Sequence, residues 1–166
     1  MNAGRIVVLE LTRMEAAHLS GLVTQFAELL EDAESRSGDP AIARLVPDAY
    51  ADAEAAADFR DLTERDLLDR RREDAGVVLS SLSGPAALPE DAEPDDDVLM
   101  ELIELRLEPD ALQSWLRCLA AIRLVLATRL DIRTEDDHDV EDPRFGVYEW
   151  LGYRLDGLVH AASDDD

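Results

Sequence analysis

Cys118 is the single cysteine of the 166-residue chain, and His18, His138 and His160 are its three imidazoles. A lone thiol cannot close a disulfide within the chain, and a cysteine-based zinc site would need ligands that the sequence lacks. Cys118 lies between Trp115 and Ile122, in a stretch where Leu116, Leu119, Leu124, Val125 and Leu126 are apolar nearly all round. That pattern marks a buried helix, in which a thiol has a raised pKa and little reactivity. The histidines are scattered, with no His-x-x-x-His or Glu-x-x-His spacing to set two metal ligands on one helix face. His138 sits among Glu135, Asp136, Asp137, Asp139, Glu141 and Asp142. This run lacks the glycine and the alternation of an EF-hand loop, so it reads as a solvated acidic loop. There is no Gly-x-Ser-x-Gly elbow and no glycine-rich phosphate loop. Acidic pairs are so common that none stands out. The expected class is a non-enzymatic protein with no catalytic residue, metal ligand or cofactor.

Two groups of residues are better suited to binding. Arg70, Arg71 and Arg72 form the one basic cluster, with Arg65 a turn before it. Leu68, Arg71, Ala75 and Leu82 share a helical stripe, so one arginine interrupts an apolar face; snorkelling or a salt bridge is the plain explanation. Tyr148, Trp150 and Tyr153 gather aromatic surface in the last helix, beside a core stripe of Val147, Leu151, Leu155, Leu158 and Val159. Aromatics at a helix edge anchor interfaces, although core packing with the hydroxyl at the edge is their commoner use. Arg117, Arg123 and Arg129 have no acid four residues away, so carboxylates from elsewhere must neutralise whatever is buried, as structural pairs.

The elements that carry these residues are legible from periodicity and capping. Residues 5–11 read as a strand. Thr12 and Glu15 then form a capping box, opening a helix over 13–34 whose apolar face holds Leu19, Leu22, Val23, Phe26, Leu29 and Leu30. Asp39-Pro40 caps a short helix that Pro47 ends. An Ala- and Asp-rich helix covers 49–62, and Thr63 starts another over 64–82. Residues 98–107 read as a second strand, followed by helices over 109–130 and 145–162. The segments 83–97 and 133–143 read as acidic linkers within a single domain, 1–166. Shifted by ninety-six positions, the first strand–cap–helix unit overlays the second, with Leu19 on Trp115, Val23 on Leu119 and Phe26 on Ile122. Two lone strands each need a partner. The expected fold is mainly α, a helical bundle with a small two-stranded β-ribbon pairing 5–11 with 98–107.

Hydrophobic residues make up 46% of the chain, enough for a core. Lys+Arg number 16 against 39 Asp+Glu, a net charge of −23, and every basic side chain is Arg. Such a surface repels phosphate backbones and anionic lipid, so direct nucleic-acid binding and membrane association are not expected. The apolar runs are interrupted by charge, and the first residues do not resemble a signal peptide, so the expected location is the cytoplasm. The remaining partner class is protein, with a homodimer as one form of it.

Several segments resemble a known family. They are Gly38-Asp39-Pro40 with Arg44-Leu45-Val46-Pro47-Asp48-Ala49-Tyr50, then Leu105-Arg106-Leu107, Trp115, Arg123-Leu124 and Leu130, and finally Val147-Tyr148-Glu149-Trp150-Leu151. Together they resemble an actinobacterial conserved domain-of-unknown-function family, often encoded beside the Clp protease adaptor. Some members are described as transcriptional or oxidative-stress regulators acting through a sigma factor. The resemblance implies a regulatory protein-interaction module whose partner is a sigma factor or the proteolysis machinery; a direct DNA-binding regulator or an acidic DNA mimic is the alternative. A sensor built on a cysteine pair within one chain cannot operate with Cys118 alone.

Overall fold

Alternation decides the ribbon. Val7, Leu9 and Leu11 are buried and Val8 and Glu10 exposed in β1 (Val7–Thr12), while Ile103, Leu105 and Leu107 are buried in β2 (Leu102–Leu107). The strands pair antiparallel, Val7 opposite Leu107 and Thr12 opposite Leu102. One face of the ribbon is therefore entirely aliphatic and packs on helices. The computed structural model describes residues 4–33, 38–46, 53–84, 91, 97–134 and 141–163, without the side chains of 53–62 and 144. Most of the segment 83–97 and residues 135–140 with His138, both read as acidic loops, lie outside the described residues.

Among the described residues there are five α-helices: α1 (Arg13–Glu31), α2 (Pro40–Leu45), α3 (Ala53–Leu82), α4 (Pro109–Arg129) and α5 (Gly146–Ser163). The expected class, mainly α with a small ribbon, is the observed one. Thr12 Oγ1 accepts the Glu15 amide at 3.1 Å and Glu15 Oε2 accepts the Thr12 amide at 2.9 Å, completing the capping box. Asp39 caps α2 through the Ala41 amide, with Pro40 in the first turn. At the other end of α4, Ile132 N–H reaches Ala127 C=O and Asp131 N–H reaches Thr128 C=O, with Asp131 at φ 57°. This Schellman turn folds Ile132 back beside Ala127, Phe145 and Tyr148.

Two boundaries differ from the sequence reading. Thr63 does not begin a helix; α3 runs through it unbroken from Ala53. No Gly or Pro separates the two halves, and Ala, Glu, Leu and Arg on both sides favour continuation over a cap. The second strand starts at Leu102 rather than Val98, because Asp97–Met100 make a 3-10 turn. Val98-Leu99-Met100 lacks the two-residue alternation that begins at Ile103, and only Leu99 of the three is buried.

The core lies between the ribbon, α1, α3 and α4. Trp115 is fully buried and its indole N–H donates to Ser81 Oγ at 3.2 Å. Leu19, Val23 and Phe26 of α1 meet this core, as do Leu119 and Ile122 of α4. The α4 helix is also long and apolar enough, by length and composition alone, to cross a membrane; 44% of that window is buried inside the fold.

Candidate functional site

Glu15 sits where three elements meet. Besides its capping role, its Oε1 accepts the Trp150 indole N–H at 3.1 Å and Arg154 Nη2 at 2.7 Å. Arg154 Nη1 continues to the Glu10 carbonyl at 3.2 Å. The helix-capping carboxylate of α1 thus ties both the first strand and the last helix. Burial raises the Glu15 carboxyl pKa, but the hydrogen bonds from Arg154, Thr12 and Trp150 outweigh it and hold the group below its ordinary value.

Beyond this clamp, α1 and α5 diverge and leave a groove of about 680 Å³. Its α1 wall is Ala17, His18, Gly21, Leu22 and Gln25; its α5 wall is Gly146, Val147 and Trp150. Leu22 was expected in the core with Leu19 and Phe26, yet it is only half-buried and faces the groove. Val147, read as core, is 44% exposed, and Val159 is exposed as well. Among the described residues nothing covers these two positions of the α5 apolar stripe. A second groove of about 560 Å³ runs between β1 and the later turns of α5, lined by Val8, Glu10, Tyr153, Asp156 and His160 among others.

A family model described as Domain of unknown function (DUF2017) matches residues 1–162. The chain belongs to that family. No curated protein and no solved structure matches it. In this DUF2017 chain both groove walls and the Glu15 clamp fall inside the matched region.

The groove's lining is mostly apolar, with two titratable side chains, Glu15 and His18. Its one carboxylate is already held by three donors, and His18 is its only imidazole. Among the described residues no three His, Cys, Asp or Glu side chains cluster as metal ligands do. What the groove offers is apolar area beside an indole fixed by its own hydrogen bond.

The residues singled out from the sequence are divided by the fold. Trp150 forms part of the groove, and Tyr153 is 73% exposed at the second groove, with Arg154 5.6 Å from its ring centroid. Tyr148, expected to lean off the core stripe, is buried. The Arg123 guanidinium lies 4.1 Å from its ring centroid, a cation–π contact, and Arg123 Nε reaches the Tyr148 carbonyl. Gly152 makes room for it: a Cβ there would stand 2.9 Å from Arg123 Nη2.

The arginine cluster is mostly committed inside the molecule. Arg72 donates to the Leu30 carbonyl at 2.7 Å and Arg71 to the Leu45 carbonyl at 3.4 Å, so α3 supplies the cations that α1 and α2 need at their C-termini. Arg72 also pairs with Asp69, and Arg70 is exposed. Arg117 and Arg129 find carboxylates from elsewhere as expected, Asp74 and Asp39, each through two hydrogen bonds.

Glu15, His18, Gly21, Leu22 and Val147 were missed as site residues. The capping box located Glu15 but only as a helix start, and Leu22 carried no mark to separate it from the core leucines. Gly21 did carry a signal: a glycine in mid-helix costs stability, and here a Cβ would meet nothing within 4 Å. Gly21→Ala is expected to stabilise the fold by about 0.5–1 kcal/mol, raising the melting temperature by roughly 2–4 °C. Calorimetry checks it; a lower melting temperature would mean that the fold itself needs the glycine.

Burial, then the Asp74 charge, pushes the Cys118 thiol up to about 12, with Arg71 acting weakly against them. The folded state holds this proton through a pH range in which the unfolded thiol ionises. Stability from this source is full below about pH 9 and falls as pH rises toward 12, on the order of a kcal/mol per unit. Without lysine, few other groups titrate there. Urea midpoints of the parent should drop between pH 8 and about 10.5 by more than those of Cys118→Ala, and the native thiol should resist aromatic disulfide reagents. Rapid native-state labelling would contradict the burial.

Proposed function

We propose that the protein is a non-enzymatic regulatory module that acts by binding a protein partner in the α1/α5 groove. The observation that carries this is the groove itself: Leu22, Val147 and Trp150 form a largely pre-formed apolar surface that no described part of the chain covers. Such surfaces mark interaction sites. The resemblance to actinobacterial regulators supports a cytoplasmic protein whose partner is a sigma factor or a component of the proteolysis machinery. The rival, direct DNA binding through Arg70–Arg72, is weakened because Arg71 and Arg72 already serve helix C-termini on a chain of net charge −23.

A photo-crosslinking residue placed at Gln25 or at Val147, in the source cell, tests this reading. Both positions should trap the same protein, and exposed Asp66 in α3 should not. Adducts only from Asp66, or none from the groove, would dismiss it. Salt-sensitive binding to random duplex that is lost in Arg70→Ala would favour the DNA-binding rival.

A further inference from the structure

We propose that the occupant of the α1/α5 groove is a basic amphipathic helix of the partner, lying along α1 and crossing it at Gly21; this rests on the interaction reading above. Both walls of the groove are helices, the α1 wall from mid-helix and the α5 wall from its first turns, and neither presents a strand edge. An extended segment entering the groove would find no strand edge to pair with and would bring its own amides and carbonyls into apolar surroundings unsatisfied. A helix satisfies its backbone internally, so it can bury side chains there without that loss.

The α1 wall has the form such a helix needs. His18, Gly21, Leu22 and Gln25 stand at i, i+3, i+4 and i+7, one continuous stripe along the helix. Packed helix axes lie about 8–10 Å apart, at the nearer end where the contacting residues are small. Gly21 is the smallest such residue, and among the described residues nothing occupies the space where its Cβ would stand. On the facing wall, Val147 is exposed and Trp150 is held in place through Glu15. The receiving surface is thus ordered before anything docks, which lowers the cost of association.

Charge selects among helices. The chain carries −23, and Arg154, outside the groove's lining, is already paired with Glu15. Exposed Glu28 continues the α1 stripe one turn past Gln25. A helix flanked by Arg or Lys is drawn to this surface and an acidic one is repelled. A second copy of the chain brings the same −23 and is repelled for the same reason.

Three synthetic peptides of about five helical turns serve as probes: a Leu/Arg helix with one apolar stripe, the same residues scrambled to remove the stripe, and a Leu/Glu helix of the original pattern. Titrations follow Trp150 fluorescence at about 150 mM salt, where diffuse attraction is screened. The Leu/Arg helix should bind at least roughly tenfold more tightly than either control. Gly21→Leu fills the crossing point and Val147→Arg puts a cation in the wall; each should weaken binding by about tenfold or more with the melting temperature kept. Equal binding of the scrambled peptide would reduce the effect to charge, and equal binding to Gly21→Leu would place it outside the groove. Tight binding of the Leu/Glu helix, or self-association in sedimentation that Gly21→Leu abolishes, would overturn the basic-helix assignment. Groove crosslinks to a cellular partner together with failure of the Leu/Arg helix would leave the interaction module standing and remove only its proposed occupant.

Discussion

Arg117→Ala should lose about 2–3 kcal/mol of unfolding free energy, the larger of two unequal losses at one ion pair. Asp74 is 7% exposed on α3 and receives Arg117 Nε and Nη2, both at 2.9 Å. Deleting the arginine leaves a carboxylate in the α3/α4 seam with only the half-buried Arg71 to offset its charge. Arg117 itself is largely exposed, so solvent enters where it stood and keeps the loss below that of a fully enclosed pair. Asp74→Asn removes the charge but returns Arg117 to water, and should cost about 1 kcal/mol. Urea unfolding of the two variants gives the comparison. A larger loss from Asp74→Asn would show that Arg71, rather than Arg117, depends on the carboxylate.

Glu15→Ala should cost a further 2–3 kcal/mol or so, because it removes a helix cap and two hydrogen bonds to α5 in one change. Its distinguishing result is local: Trp150 loses its indole partner, and its emission should shift to the red while Trp115 stays buried. Glu15→Gln retains an acceptor for Trp150 and should cost about half as much. The pH dependence follows from the lowered carboxyl pKa. The stabilisation is complete above the ordinary value of 4.5 and is lost as pH falls through the lower folded value. An acid titration of parent and Glu15→Gln should converge at low pH; parallel curves would mean that the clamp contributes no linkage. The same variant should widen the groove, tying the site to the fold's own stability.

Much of this architecture could be read directly from local sequence. The Thr12/Glu15 box, Asp39-Pro40, the alternating strands and the nearly all-apolar α4 each depend on contacts a few residues apart, so chain order was enough to place them. Pairing of the two strands followed because an isolated strand is unstable. Burial of Cys118 followed from the residues around it.

The site depended on distances that local patterns do not encode. Leu22 and Leu19 lie on nearly the same face of α1, and only the packing of the other elements makes one face a groove and the other the core. Tyr148 was drawn inward because Arg123, arriving from α4 across Gly152, supplied a cation for its ring. The partners of Arg71 and Arg72 were not legible in sequence because the carbonyls they cap lie 26 and 42 residues away. The sequence by itself determined the elements, their caps and the acidic surface, since these follow from periodicity and composition. Only the tertiary structure decided which apolar and charged groups were left for a partner, because that remainder exists only after the helices have packed and each buried charge has found its counterpart.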